Sequence, residues 1–462
     1  MTTLVGFDEG SFRDPAGRVF LHGDYAYRTL TKQSLPIARD VLESGLVADL
    51  AEAGLIAVPE LVPASDSNVE IGPESPWLIR QRRVPFVTYA YEWSFEMLRR
   101  AALVTLEILQ RSLRREFILK DAPSFNILFS GGRPVHIDFG SFVRRPAGVA
   151  WTGYAQFCRS FLYPLLIEAY AGIPFQPLLR GYLGELPIDV AADGLGWRRA
   201  LRSGVLVHVL IQHQLQRRFS GDARSVAAAT SSVAQPTHAT AAMVRRLSVL
   251  IEGLRHGTNS TWREYTETCS YTGDERAVKR QFVEKVVADE RPGRLLDLGC
   301  NTGEYIELVL PLVGHVVGVD ADAAAIDACY GKFRGDHRVS LAVADIANPT
   351  PPLGWALRER QALLPRLQAD FLLALALVHH LRITAGIPLA RVVPALLSLA
   401  PSGIIEWVGR EDAMVQRMLA LREDVFTDYE WHSFLELLHQ HAGSVDVVSV
   451  RTGRALCRYS CR

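Results

Sequence analysis

Between residues 275 and 462, short apolar runs alternate with amphipathic stretches, and this alternation predicts a parallel, doubly wound α/β sheet. Leu295, Leu296 and Leu298 make a first strand, and the turn Gly299-Cys300-Asn301-Thr302-Gly303 leads from it into a helix over 304–312. A second strand, VVGVD, ends in Asp320, and a third, SLAVAD, ends in Asp345. The fourth, DFLLALALVHHL, is apolar throughout and ends in His379 and His380; the fifth is SGIIEWV. The tail VDVVSVRTGRALCRYSC reads as a hairpin turning at Thr452-Gly453. The pattern gives six or seven strands with a terminal hairpin. Its most apolar stretch, 371–378, is too short to span a membrane and reads as a buried strand.

The pattern before residue 220 is mixed α/β. A long amphipathic helix is expected over 93–114. Within LKDAPSFNILFSGGRPVHIDFGSF (119–142), NILF and PVHID read as two short strands joined by a Ser-Gly-Gly turn. Asp14-Pro15-Ala16-Gly17 is expected to turn another hairpin. Residues 221–242 are rich in Ala, Ser and Thr and read as a linker or exposed loop, and 243–274 as a helix plus a connection. The expected organisation is a first domain over 1–220, a linker and connecting helix over 221–274, and a second domain over 275–462.

Composition narrows the function classes. The chain of 462 residues is 48% hydrophobic and 22% charged, with formal net charge +0, so nothing draws it globally to nucleic acid or an anionic membrane. Two arginine clusters, at 80, 82, 83 and at 111, 114, 115, read as solvated faces. The six cysteines are scattered without a CxxC pair, which predicts reduced thiols in a cytoplasmic protein with neither a zinc site nor a disulfide framework. The first residues lack the basic and apolar regions of a signal peptide.

Candidate chemistry in the second domain sits at the strand ends. Glycines at a strand-to-helix turn let backbone approach a ligand closely, because no Cβ intrudes. An acid ending strand two is placed to accept from both ribose hydroxyls, and Asp345, ending strand three, is spaced to reach an adenine amino group. His379 and His380 end strand four, where a neutral imidazole could remove a proton from an acceptor; the alternative is that one packs while the other merely faces the ligand. Glu406 is a further polar candidate. The segment 354–364 is placed to cover a nucleoside with Trp355 against the base, unless Trp355 is core. The run 410–431 either lies above the sheet edge or forms a solvated helix.

These residues resemble the class I S-adenosylmethionine-dependent methyltransferases, with DLGCNTG as their first motif and Asn301 where a glycine is most common. The resemblance implies a Rossmann-like, seven-stranded sheet with a terminal hairpin. It also implies S-adenosylmethionine as cofactor, held by Asp297, Gly299, Asn301, Gly303, Asp320 and Asp345. No Asn/Asp-Pro-Pro-Tyr/Phe motif is present, which counts against adenine or glutamine amide methylation.

The N-terminal segment resembles the catalytic and metal-binding loops of the protein-kinase-like fold, carried by Asp121, Asn126 and Asp138-Phe139-Gly140. The resemblance implies an α+β kinase-like domain in which Asp121 is the base position and Asn126 and Asp138 would hold magnesium with ATP. Leu119-Lys120 replaces the usual His-Arg, and neither a glycine-rich loop nor a VAIK-like lysine is evident, although Arg28 is on a strand that could be equivalent. These departures favour a scaffold or nucleotide-binding remnant over a phosphotransferase, and the segment is expected to serve as the acceptor-binding scaffold. Taken whole, the chain resembles a bacterial family of nodulation-associated methyltransferases, through SFRDPAGRVF, YAYEWSFEML, LKDAPSFNILF, LGCNTGEY, ALALVHHL and REDAMVQRML. The expected activity is methyl transfer to oxygen of a small-molecule or glycan acceptor. The alternative is a bifunctional kinase and methyltransferase using Mg-ATP. Neither nucleic acid nor a membrane span is expected.

Overall fold

On a hairpin near the N-terminus, Phe20 and Tyr27 face each other across two strands and stack with ring centroids 5.1 Å apart, both rings buried. Such a cross-strand aromatic pair fixes register. The hairpin joins β1 (Val19–His22) to β2 (Tyr25–Thr29). With β3 (Glu60–Pro63) and β4 (Trp77–Arg82) it forms an antiparallel sheet ordered β1-β2-β4-β3. The expected hairpin at Asp14–Gly17 is corrected: a turn does form at Pro15-Ala16, but the two strands are joined at Gly23-Asp24, and Gly17 lies against Thr29, where a Cβ would come 1.9 Å from its carbonyl oxygen.

This computed structural model describes residues 6–67, 75–219, 236–256, 273–420 and 423–461. The chain divides into one unit of Met1–Gly257 with Pro352–Arg360 and a second of Thr258–Pro351 with Gln361–Arg462.

In the first unit the long helix is Phe95–Arg114, begun by Ser94, whose side chain accepts from the Met97 N–H. Its apolar face, including Leu98, Leu106 and Leu109, is fully buried. Short strands β5 (Phe117–Leu119) and β8 (Phe142–Arg144) pair, as do β6 (Ile127–Ser130) and β7 (Arg133–His136), which turn at Gly131-Gly132 with both φ positive. Residues 237–242, expected as linker, instead begin the helix Thr237–Gly253, because Val244, Leu247 and Ile251 recur at helical spacing and bury against Phe95–Arg114. The remainder of the expected linker, 221–235, and the connection 257–272 lie outside the described residues.

In the second unit, seven strands form one sheet ordered β11-β10-β9-β12-β13-β15-β14. They are β9 (Arg294–Leu298), β10 (His315–Asp320), β11 (Val339–Val343), β12 (Phe371–Ala374), β13 (Ser402–Val408), β14 (Ser444–Arg451) and β15 (Arg454–Ser460). The pairs among β9 to β13 are parallel, and β15 runs antiparallel to both its neighbours. This is the expected seven-stranded sheet with its terminal hairpin. Order reverses between β9 and β12, and a crevice at such a switch point is where an open α/β sheet takes ligands.

The fourth strand is shorter than its apolar run. β12 stops at Ala374, Ala376 takes a left-handed φ of 52°, and His380–Thr384 forms a π-helical turn. Apolar residues continue past Ala374 because the turn after the strand is itself buried. Among the described residues, no helix is long and apolar enough to cross a membrane.

Candidate functional site

A cavity of about 430 Å³ opens past the C-terminal ends of β9 to β12, within the size range of small-ligand sites. The loop after β9 forms its floor. Gly299 and Gly303 have φ of 77° and 81°, and a Cβ on Gly303 would meet the Phe333 ring at 2.6 Å. Asn301 is also left-handed, φ 48°, which explains how asparagine stands at a glycine position: its short polar side chain tolerates that region. The Asn301 N–H donates to Asp320 Oδ2 at 2.9 Å, and the Asp322 N–H to Asp320 Oδ1 at 2.9 Å, so the loop is tied to the end of β10.

Asp297, Gly299, Asn301, Asp320 and Asp345 all line the cavity, and Gly303 closes the loop beneath it. Among the described residues, Asp297 Oδ2 and Asn301 Oδ1 are buried without a hydrogen-bond partner. Such orphans carry a desolvation cost unless a ligand donates to them. Burial, reinforced by Asp320 and opposed by Lys279, pushes the Asp297 carboxyl up to about 7. Burial also raises Asp320, against the N–H groups that bond it. Asp345 lies two residues beyond β11, accepts from the Ala347 N–H at 2.8 Å and is exposed at the cavity edge.

The two histidines separate. His380 lines the cavity, and burial lowers its imidazole to about 4. His379 does not line it; it is fully buried, its ring 4.2 Å from that of His380, with neither nitrogen bonded among the described residues. The expectation that Trp355 covers the base is corrected: none of 354–364 lines the cavity, Trp355 is 72% exposed, and Pro352–Arg360 belongs to the first unit, where Glu359 pairs with Arg13. In the run 410–431, Ala413–Ala420 and the start of Trp431–His441 are helical, and Arg410 pairs with Asp424 and Glu430.

Sequence reasoning missed the wall formed by the helix Gly273–Glu290, which brings Arg276 and Lys279 to the cavity, and also missed Tyr305. The signal was present. Lys279 is in register with buried Val283, Val286 and Val287, an apolar-face position where a lysine needs a partner. That partner is Glu406, at 2.7 Å and fully buried.

In the first unit Asn126 Nδ2 donates to Asp121 Oδ1 at 3.3 Å. Asp138 accepts from Arg28 Nη1 at 2.9 Å and from the Gly140 N–H at 3.1 Å, and Arg28 also pairs with Asp14. Burial and then Asp138 push the Asp121 carboxyl up to about 6. Among the described residues, no group of three or more His, Cys, Asp or Glu side chains is arranged to hold a metal ion.

No family model matches the chain. Among solved structures, the N-methyltransferase NodS from Bradyrhizobium japonicum WM9 is 13% identical, covering 41% of this chain and 97% of that one at a TM-score of 0.30. The magnesium protoporphyrin IX methyltransferase of Synechocystis PCC 6803 with bound S-adenosylhomocysteine is 18% identical, covering 44% and 95%, TM-score 0.30. The bifunctional kinase-methyltransferase WbdD is 19% identical, covering 46% of each chain, TM-score 0.30. Overlaps of this size decide nothing about activity. The curated relative does bear on family: the nodulation protein NoeA of Rhizobium meliloti (strain 1021) is 35% identical over 448 residues, 95% of this chain and 92% of that protein. The chain belongs to the family of the nodulation protein NoeA.

Proposed function

We propose that the second unit is an S-adenosylmethionine-dependent methyltransferase acting on oxygen of a small-molecule or glycan acceptor. The observation that carries this reading is the pair of orphaned buried oxygens, Asp297 Oδ2 and Asn301 Oδ1, in a cavity at the switch point whose rim ends in Asp320. An ammonium and ribose hydroxyls are the donors that such a set lacks. Asp297 and Asn301 would hold the amino-acid end of the cofactor, Asp320 the ribose and Asp345 the adenine edge. When bound, the cofactor supplies an electrophilic methyl on a sulfonium. His380, neutral above about pH 4, offers a lone pair to an acceptor hydroxyl and orients it. Its low basicity makes orientation the larger part of its task.

The first unit is read as the acceptor-binding scaffold. Asp138, the position that would hold magnesium in a kinase-like site, is engaged by the Arg28 guanidinium, which favours a scaffold over a phosphotransferase. The second reading, a bifunctional enzyme using Mg-ATP, draws on the hydrogen-bonded Asp121 and Asn126 beside it. Calorimetric titration with S-adenosylhomocysteine and with Mg-ATP separates the readings. Binding of S-adenosylhomocysteine alone is expected. Asp320→Ala should weaken it at least tenfold, ~1.4 kcal/mol, because charge-assisted bonds to the ribose are lost. A folded Asp320→Ala protein with unchanged affinity would sink the ribose assignment. Mg-ATP binding abolished by Asp138→Asn would put the bifunctional reading first.

A further inference from the structure

Six charged side chains close a ring beside the cavity. Glu275 and Lys279 stand one turn apart on the helix Gly273–Glu290. Lys279 Nζ donates to Glu406 Oε2 at 2.7 Å, and Arg454 Nη1 to Glu406 Oε1 at 3.0 Å. Arg454 Nε continues to Asp412 Oδ2 at 2.7 Å. Arg451 also pairs with Asp412, and its Nη1 returns to Glu275 at 3.6 Å. The side chains of Lys279, Glu406, Arg454 and Asp412 are at most 5% exposed. Buried ion pairs are poor stabilisers, since desolvation offsets much of the attraction, and their best-attested use is to specify one arrangement.

Two observations tie this ring to the cavity. Lys279 belongs to both, and its ammonium sits 5.0 Å from the centre of the Tyr305 ring, which also lines the cavity. In the same cavity Asp297 presents its orphaned oxygen, and a positive charge sharing that lining favours the carboxylate form. We propose that Lys279, clamped by Glu406 within the ring at the cavity wall, is the positioning residue whose charge favours the ionised form of Asp297 and so widens the pH window in which the cavity takes its cofactor. This rests on the methyltransferase reading for the identity of the ligand, but not for the charge on Asp297.

The neighbouring charges make the direction clear. Asp320 faces Asp297 from β10 and opposes its ionisation, and burial does so more strongly. Lys279 opposes both and favours the carboxylate. Glu304 and Tyr305 from the helix after the loop, Cys300 in the loop, Arg276 one turn before Lys279, Asp345 beyond β11 and His380 beyond β12 share the cavity lining. A cofactor amino group titrates near ~8 in its free state. One proton must be shared between amine and carboxyl, so affinity should form a bell with an acid limb set by Asp297.

Single and paired substitutions read that limb. Lys279→Met removes the favourable charge and should move the acid limb of S-adenosylhomocysteine binding upward by on the order of one pH unit. Glu406→Gln frees the ammonium from its anchor and should move the limb downward. The double variant, a neutral pair of similar volume, should return it near the wild-type position. A purely structural ring predicts instead that both singles lower stability and leave the limb where it is. A ligand-free readout uses the melting temperature against pH of each protein, with and without Asp297→Asn. The Asp297 carboxyl is raised above its ordinary value, so its contribution to stability is present below about pH 4 and lost as pH rises through about 7. The inflection should shift in opposite directions in the two singles. Same-direction shifts, or none, overturn the proposal. Opposite shifts in the apoprotein without any binding of S-adenosylhomocysteine would keep the ring's role and overturn the cofactor reading.

Discussion

Two adjacent histidines in the sequence become two different environments in the fold. His380 faces the cavity, whereas His379 is sealed from it. His380→Ala is expected to lower turnover ~10²-fold, with the acceptor KM rising less than turnover falls. Burial holds the imidazole near 4, below its ordinary value, so the neutral form persists to about pH 5 and the group is lost as a lone-pair donor only below that. At saturating cofactor, turnover should therefore show no limb near pH 6.5 that belongs to His380; one that vanished in His380→Ala would overturn the assignment, as would a variant of full rate. The loop after β9 and the acid of β10 were legible because a glycine turn between an apolar strand and a helix has few physical uses. That one histidine would pack and the other face the cavity was among the readings, but that His379 would be the sealed one was not legible, because nothing local distinguishes a strand end from a buried turn.

At the level of elements, legibility followed periodicity. β13, the terminal hairpin, the pair β6 and β7 and the helix Phe95–Arg114 lie within a residue or two of where apolar spacing put them. Composition misled where it overrode spacing: the Ala, Ser and Thr of 237–242 resemble a linker, yet Val244, Leu247 and Ile251 extend the same helix and bury fully. Burying Leu247 against Phe95–Arg114 should make this helix part of the first unit's stability. Leu247→Ala is expected to destabilise that unit by about 2–5 kcal/mol, through lost transfer energy and the cavity left behind. Denaturant unfolding followed at tryptophans of the first unit would check it. A change within about 0.5 kcal/mol would return the helix to the status of a connector.

The whole chain carries two cores, and the sequence order of their parts is not their structural grouping. Pro352–Arg360 lies between β11 and β12 in sequence but is counted with the first unit, because Glu359 meets Arg13 and Arg360 stacks on Phe125 at 3.8 Å. No local pattern could have announced this, since an ion pair across 346 positions leaves no periodicity. Separate cores predict separate responses to heat. S-adenosylhomocysteine at ~100 times its dissociation constant should stabilise the second unit by about 2.7 kcal/mol. Leu247→Ala should lower the melting of the first. Differential scanning calorimetry of the full chain is therefore expected to resolve two transitions, one moved up by ligand alone and the other moved down by the substitution alone. A single transition that follows both would mean that the two cores unfold as one, and ligand bound beside Asp297 would then also protect the Asp121, Asn126 and Asp138 cluster of the first unit.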